Sequence, residues 1–325
     1  MTTSIALGLA QPATAQSPTS IRVSDPVAAT AFAVGSVNGG EYTIYTVDLA
    51  ADGTVIRYSL PLTQFDVDQY ASISDAVGAT AVGFIGSSDG SASTMTVFHV
   101  LPDCQPPGGT GCGPNIVGDT LSVAGTSPVL NRAATSVLYI HGGPIYRVST
   151  HDGRPILVTH SPKGRHFTAI AMMPDGRSLI ASAAVPVVNG KQAGSTTRVP
   201  PRLYRIDLPS GRVHPLPTRN RALDGVTVAD LFVSGDGTRL AVRTVTAAGR
   251  ALTSIVALSS GSVHRAQAAP FVYPTSFTPD GAGLFATQPS TGREIRVRFG
   301  APDSSLVPEP DRTTQISDIV VARPT

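Results

Sequence analysis

The sequence predicts an all-β fold, a propeller of six four-stranded antiparallel blades, with seven blades as the alternative count. Three observations lead there. A short turn motif recurs: Pro174-Asp175-Gly176, Gly235-Asp236-Gly237 and Pro279-Asp280-Gly281 each precede a Leu- and Ala-containing run. Gly and Pro number 32 and 27 of the 325 residues, about 18% where roughly 12% is usual, which suits many tight turns. No segment sustains the 3.6-residue apolar period of a surface helix.

The repeat sets the order of the elements. Asn131 opens a degenerate copy of the turn, and Val23–Ala31 matches Ile73–Ala81. Aligning residues 25, 75, 131, 175, 236 and 280 as equivalent positions gives intervals of 50, 56, 44, 61 and 44 residues. Periods of this length signal a repeat architecture. Within a unit, one β-type run leads into Asp-Gly, where Asp caps its own turn and Gly supplies a positive φ. A second run follows, as in Leu179–Ala184 and Leu240–Val245. A third alternates apolar and polar residues, as in Tyr42–Leu49, Ile145–Val148 and Leu203–Leu208. After another turn comes a fourth, as in Val55–Leu60, Pro155–Thr159 and Arg212–Leu216. Four short strands per unit is the grammar of a blade. The longest interval holds an insertion over residues 188–201. Gln315–Ala322 reads as one more strand, and a ring needs it paired with the first or last blade, because an open end would leave a bare strand edge.

These residues resemble the TolB-type, WD-repeat-like β-propeller family. Its repeat centres on a Ser/Pro-Asp-Gly turn, a Leu-Ala strand and a Leu-Tyr-x-x-Asp-Leu strand. Pro174-Asp175-Gly176 with Leu203–Leu208 is the best match, and Phe232 and Phe277 keep the aromatic before the turn. The resemblance covers about residues 21–322 and implies a propeller, with Asp175, Gly176, Asp236, Gly237, Asp280 and Gly281 as structural turn formers. TolB itself carries a further N-terminal α/β domain, for which the 325 residues are expected to leave no room.

Several features bear on compartment. Residues 4–15 end in Ala13-Thr14-Ala15 after a short apolar run broken by Pro12. This is the distal half of a secretory signal without its positive n-region. Residues 1–15 are therefore read as a partial signal peptide and 16–325 as a single propeller domain. Cys104 and Cys112, the only two cysteines, sit in a Pro/Gly-rich loop and are expected to form a disulfide, which needs an oxidising compartment. Both features point to an exported protein, periplasmic or extracellular. No run of about 18 apolar residues suggests a membrane span.

The charge is +2 overall, so nothing global points to nucleic acid. Its distribution is uneven: residues 1–100 sum to −6, whereas 101–200 and 201–325 each sum to +4. Arg198, Arg202, Arg205, Arg212, Arg219 and Arg221 crowd one blade and its insertion, which reads as solvated strand faces ahead of a patch for an anionic partner.

No catalytic constellation stands out. Gly86-Ser87-Ser88-Asp89-Gly90 fits the nucleophile-elbow pattern, but a strand rather than a helix follows it. The seven histidines form no metal-binding pair on a helix; His141, His151 and His160 fall near strand ends of one unit and are the group to watch. The calcium-loop pattern and phosphate-binding glycine loops are absent, so no cofactor or metal is expected. The expectation is a non-catalytic binding or scaffold module facing a protein or cell-envelope partner. A hydrolase or lyase at a channel mouth is the alternative.

Overall fold

The computed structural model describes residues 26–37, 41–59, 62–64, 69–87, 93–101, 115–151, 153–188, 191–192, 201–218, 223, 227–245, 251–265, 272–301 and 304–325. They form six antiparallel blade sheets, one further two-stranded pairing and no α-helix. Six blades, not seven, make the ring.

From the inside outwards, blade 2 runs Gln69–Val77, Thr80–Ser87, Ser93–Leu101, Asn115–Thr120. Blade 3 runs Thr126–Leu130, Ser136–Ile140, Ile145–Ser149, Ile156–Thr159. Blade 4 runs His166–Met172, Ser178–Ala184, Arg202–Asp207, Val213–Pro215. Blade 5 runs Thr227–Val233, Arg239–Val245, Ala251–Ala257, Val263–Arg265. Blade 6 runs Tyr273–Phe277, Gly283–Gln288, Arg293–Arg298, Ser304–Leu306. Blade 1 takes its innermost strand from the C-terminal region: Thr314–Val321 pairs with Ala29–Val37, followed by Glu41–Leu49 and Val55–Tyr58. The extra strand expected at 315–322 thus closes the ring on the first blade. The 188–201 insertion begins with a small pairing of Val187–Val188 with Lys191–Gln192.

The core lies between blades. Each interface has its own apolar cluster: Phe32, Ile44 and Phe98 join blades 1 and 2, Met95 and Tyr139 blades 2 and 3, Leu138 and Phe167 blades 3 and 4. Leu203 and Leu240 join blades 4 and 5, Ala241 and Phe277 blades 5 and 6, Phe285 and Tyr45 blades 6 and 1. A face-to-face packing of twisted sheets buries both faces of strands such as Ser136–Ile140 and Ser178–Ala184, which read as nearly continuous apolar runs, while outer strands such as Ser304–Leu306 stay exposed.

The Asp-Gly turns join the innermost strand to the second. Asp175 Oδ1 accepts from Arg177 N (2.8 Å), Asp236 Oδ1 from Thr238 N (3.0 Å) and Asp280 Oδ1 from Ala282 N (2.9 Å). Gly176, Gly237 and Gly281 take φ of 66°, 70° and 64°. Asn131 does the same work in blade 3, accepting from Thr135 N and Ser136 N.

Asp75 departs from the expected alignment. The turn of blade 2 is Gly78-Ala79, and Asp75 lies three residues earlier, on the innermost strand. Asp25 lies outside the described residues. The match that placed Asp75 among turn formers is an inner-strand signature instead: Ile73-Ser74-Asp75 returns as Ile316-Ser317-Asp318 in the closing strand. The physical reason is a β-bulge. Every innermost strand shifts register against its neighbour at a comparable point, and a bulge re-aims the side chains around it. In blades 1, 2 and 5 the residue after the extra one is Asp318, Asp75 and Asp230; in blade 6 it is Ser276. Three of these side chains reach into the next blade. Asp318 Oδ2 accepts from Ile73 N (3.2 Å), Asp75 Oδ2 accepts from Leu130 N (2.8 Å), and Ser276 Oγ donates to Ile319 O (2.9 Å).

Candidate functional site

The inner strands enclose an axial channel with two unlike mouths. The face carrying the Asp-Gly turns opens into a cavity of about 840 Å³. Gly78, Ala79, Pro174, Gly235, Pro279 and the C-terminal residues Ala322–Pro324 ring its entrance. Its walls are largely Ala, Val, Phe, Ile and Met, and seven of its 33 lining residues carry hydroxyls. One ion pair sits among them. Arg323 Nη2 meets Asp75 Oδ2 at 2.5 Å and also donates to Leu130 O at 2.9 Å, with both charged side chains 15% exposed. Asp75 thus joins blades 2 and 3 directly and, through Arg323, the segment that follows the closing strand.

The opposite face carries the connections between second and third strands and between blades. Its cavity is about 480 Å³, and eight of its fifteen lining residues carry hydroxyls. Tyr42 of blade 1, Tyr70 of blade 2 and Tyr273 of blade 6 line it, with Asp230 and Arg243 of blade 5. Arg243 is paired with Asp230, and its guanidinium lies 4.9 Å over the Tyr273 ring. Ser74, Asp230, Phe232 and Thr275 line both cavities, so the two are ends of one channel meeting at mid-axis.

Beneath the narrow mouth lie two acids that no sequence pattern singles out. Glu294 is 1% exposed. Burial pushes its carboxyl well above the usual range, reinforced by Asp318, against hydrogen bonds from Thr275, Thr287 and Ile319. Thr275 Oγ1 donates to Glu294 Oε1 at 2.6 Å. Thr287 has one hydroxyl proton, and the Ser317 carbonyl is its nearer acceptor at 2.8 Å. Thr287 Oγ1 also lies 3.3 Å from Glu294 Oε2, a longer and weaker contact than the one it makes to Ser317. Asp318, also desolvated, is pushed up to about 7 despite its bond from Ile73 N. The pair ties blade 6 to the closing strand.

His151 does not join His141 and His160. Strand direction puts His141 and His160 on the narrow-mouth face of blade 3 and His151 on the opposite face. His151 instead approaches His99 of blade 2, with ring centroids 6.0 Å apart. Desolvation lowers the His99 pKa, and Asp119, 3.8 Å from its Nε2, opposes that effect. No group of three His, Cys, Asp or Glu suited to a metal ion occurs among the described residues.

Of the arginine cluster, Arg202, Arg205 and Arg212 are exposed on the outer half of blade 4, and Arg205 is engaged with Asp175 at 3.4 Å and with Ser178 Oγ at 3.2 Å. Arg198, Arg219 and Arg221 lie outside the described residues, as do Cys104, Cys112, residues 1–15 and the Ser88–Gly90 part of the elbow-like motif. No helix among the described residues is long and apolar enough to cross a membrane.

No family model matches the chain, and no curated protein matches its sequence. Solved structures do match its shape. TolB from Acinetobacter baumannii superposes with a TM-score of 0.57 at 16% identity, over 91% of this chain and 67% of that one. An oligogalacturonate lyase in complex with manganese gives 0.48 at 14%, over 83% and 73%. A gluconolactonase from Xanthomonas campestris gives 0.47 at 14%, over 75% and 78%. The two enzymes superpose too loosely to bear on chemistry. At 16% identity the TolB likeness is one of fold alone: the chain is a six-bladed β-propeller similar in shape to TolB.

Proposed function

We propose that the chain is an exported, non-catalytic binding module that presents its wide channel mouth to a protein or cell-envelope partner. The observation that carries this reading is the cavity of about 840 Å³ on the Asp-Gly face. It is lined mainly by apolar side chains, and Asp75, one of its few carboxylates, is held by Arg323. A concave apolar wall with few placed polar groups suits capture of a partner segment. Acid–base chemistry needs a free acid or base at the reacting atom. The Ala-x-Ala signature and the disulfide expected between Cys104 and Cys112 support export. The hydrolase or lyase reading draws no support from His141 and His151 at opposite ends of a blade.

Site-specific photocrosslinking tests the proposal. A crosslinker at Val233 on the wide-mouth wall is expected to trap one discrete envelope partner, and the same probe at Ser305 on the outer strand of blade 6 is not. Equal labelling from both positions, or none from Val233, sinks it. Fractionation of the same cells checks export: the protein is expected outside the cytoplasm with Cys104 and Cys112 unreactive toward thiol reagents until reduced.

A further inference from the structure

We infer that the narrow mouth is a binding site for a neutral saccharide, stacked on Tyr70 and Tyr273 and hydrogen-bonded by the surrounding hydroxyls. This site lies at the other end of the channel from the proposed partner mouth, so the two readings stand or fall separately.

Tyr42, Tyr70 and Tyr273 come from three blades to one cavity, and none of their phenol hydroxyls has a hydrogen-bond partner among the described residues. Tyr273 is 40% exposed. Tyr70 lies across Gly86, its register partner on the second strand. A methyl group at Gly86 would stand 2.4 Å from Tyr70 Cε1, so the glycine lets the ring lie flat at the mouth. Amphipathic rings that offer a face and a free hydroxyl suit ligands with both apolar C–H faces and polar edges. The volume of about 480 Å³ falls within the roughly 300–1,000 Å³ of small-molecule sites.

Charge then selects among ligand classes. A cationic ligand would need a spare carboxylate and a free ring face. Asp230 already holds Arg243, Asp318 accepts from Ile73 N and is disfavoured from ionising by its burial, and Arg243 already covers one face of Tyr273. An anionic ligand would need a spare cation, but Arg243 is the only Lys or Arg among the lining residues and is neutralised by Asp230. What remains is a neutral, hydroxyl-rich ligand meeting hydroxyl-rich walls. The wide mouth differs on this point, since few of its lining residues carry hydroxyls.

The chain has no Trp, so tyrosine fluorescence and calorimetry report on these rings. The probes are cellotriose, maltotriose and chitotriose, with trigalacturonate and the glucosamine trimer as charged counterparts and a proline-rich peptide as the polypeptide control. At least one neutral trisaccharide is expected to bind saturably and perturb the tyrosine signal. Tyr70→Ala and Tyr273→Ala should each weaken binding about 3- to 10-fold, the worth of one aromatic contact. Gly86→Ala, which displaces the Tyr70 ring while keeping every polar group, should follow Tyr70→Ala. Tyr273→Phe should keep most of the affinity, and Val233→Ser, at the wide mouth, all of it. Circular dichroism confirms that each variant is folded. Co-sedimentation with chitin and cellulose separates a free saccharide from the end of a glycan chain, and binding in either form supports the site. Failure of all neutral probes, preference for a charged trimer or the peptide, or wild-type affinity in both alanine variants overturns it.

Discussion

A buried carboxyl that keeps its proton makes stability depend on pH. Glu294 and Asp318 are both raised by desolvation, Asp318 to about 7. The folded chain therefore binds protons that the unfolded chain releases once pH exceeds the ordinary carboxylate range. Where the native state binds more protons, stability falls as pH rises. The contribution is complete in acid and is lost as pH climbs through the folded value near 7. The charged groups around Asp318 are Glu294 and Asp230, with Arg243 held by Asp230. Asp52, Asp236, Asp280 and Asp311 are lowered by local hydrogen bonds and pull the other way, so the informative quantity is a variant's difference from wild type. Asp318→Asn keeps an acceptor for Ile73 N. Urea titrations are expected to show it gaining on wild type by on the order of 2–4 kcal/mol between pH 4 and pH 8, and Glu294→Gln moving in the same direction. A difference that does not change with pH would mean neither acid is protonated in the folded chain.

Turns are the elements most legible in the sequence, and their glycines are not equal. Asp175, Asp236 and Asp280 declare themselves because a carboxylate that caps its own turn leaves a local pattern, Asp followed by Gly, that needs no tertiary information. Asp75 was misplaced by the same local logic, since Ile-Ser-Asp beside a turn looks like Asp-Gly beside a turn until register is known. The cost of losing a glycine likewise depends on what lies beyond the turn. Gly237 takes φ of 70°, and an added methyl would meet nothing closer than Met173 Cε at 3.4 Å. Gly261, between the third and outer strands of blade 5, has nearly the same φ of 66°, but its methyl would stand 2.0 Å from the Pro217 carbonyl. Gly237→Ala should cost about 1–2 kcal/mol, the backbone term alone. Gly261→Ala must also push blade 4's trailing loop away and should cost several times more. Thermal unfolding of the two variants checks the ranking, and equal losses would remove the Pro217 contact from the account.

At the scale of the whole ring, what the sequence left hidden is what closure brings together. Tyr42, Tyr70 and Tyr273 sit far apart in the chain and share no motif. They meet only because blade 6 is followed by blade 1, so local pattern could reveal the blades but not the narrow mouth. The histidines of blade 3 show the converse, near in sequence and parted by strand direction. Closure itself rests on Thr314–Val321, which lies innermost in blade 1 and buries Ile316, Ile319 and Val320 against blades 1, 2 and 6. Burying one such side chain is worth about 1.5–3 kcal/mol, and a domain's net stability is only about 5–15 kcal/mol. Deleting residues 314–325 also removes Arg323 from Asp75 and bares the backbone edge of Ala29–Val37. An open edge invites pairing with another chain. The truncated protein is expected to lose its cooperative transition and self-associate in sedimentation experiments. A synthetic peptide of residues 314–325 added in trans should restore a monomeric species with a concentration-dependent melting temperature, because a ligand that binds only the folded form stabilises it by mass action. The same peptide with Ile316 and Ile319 replaced by Ser should restore nothing. A truncated chain that stays monomeric and melts as the full chain does would show that the wheel holds without the innermost strand of blade 1.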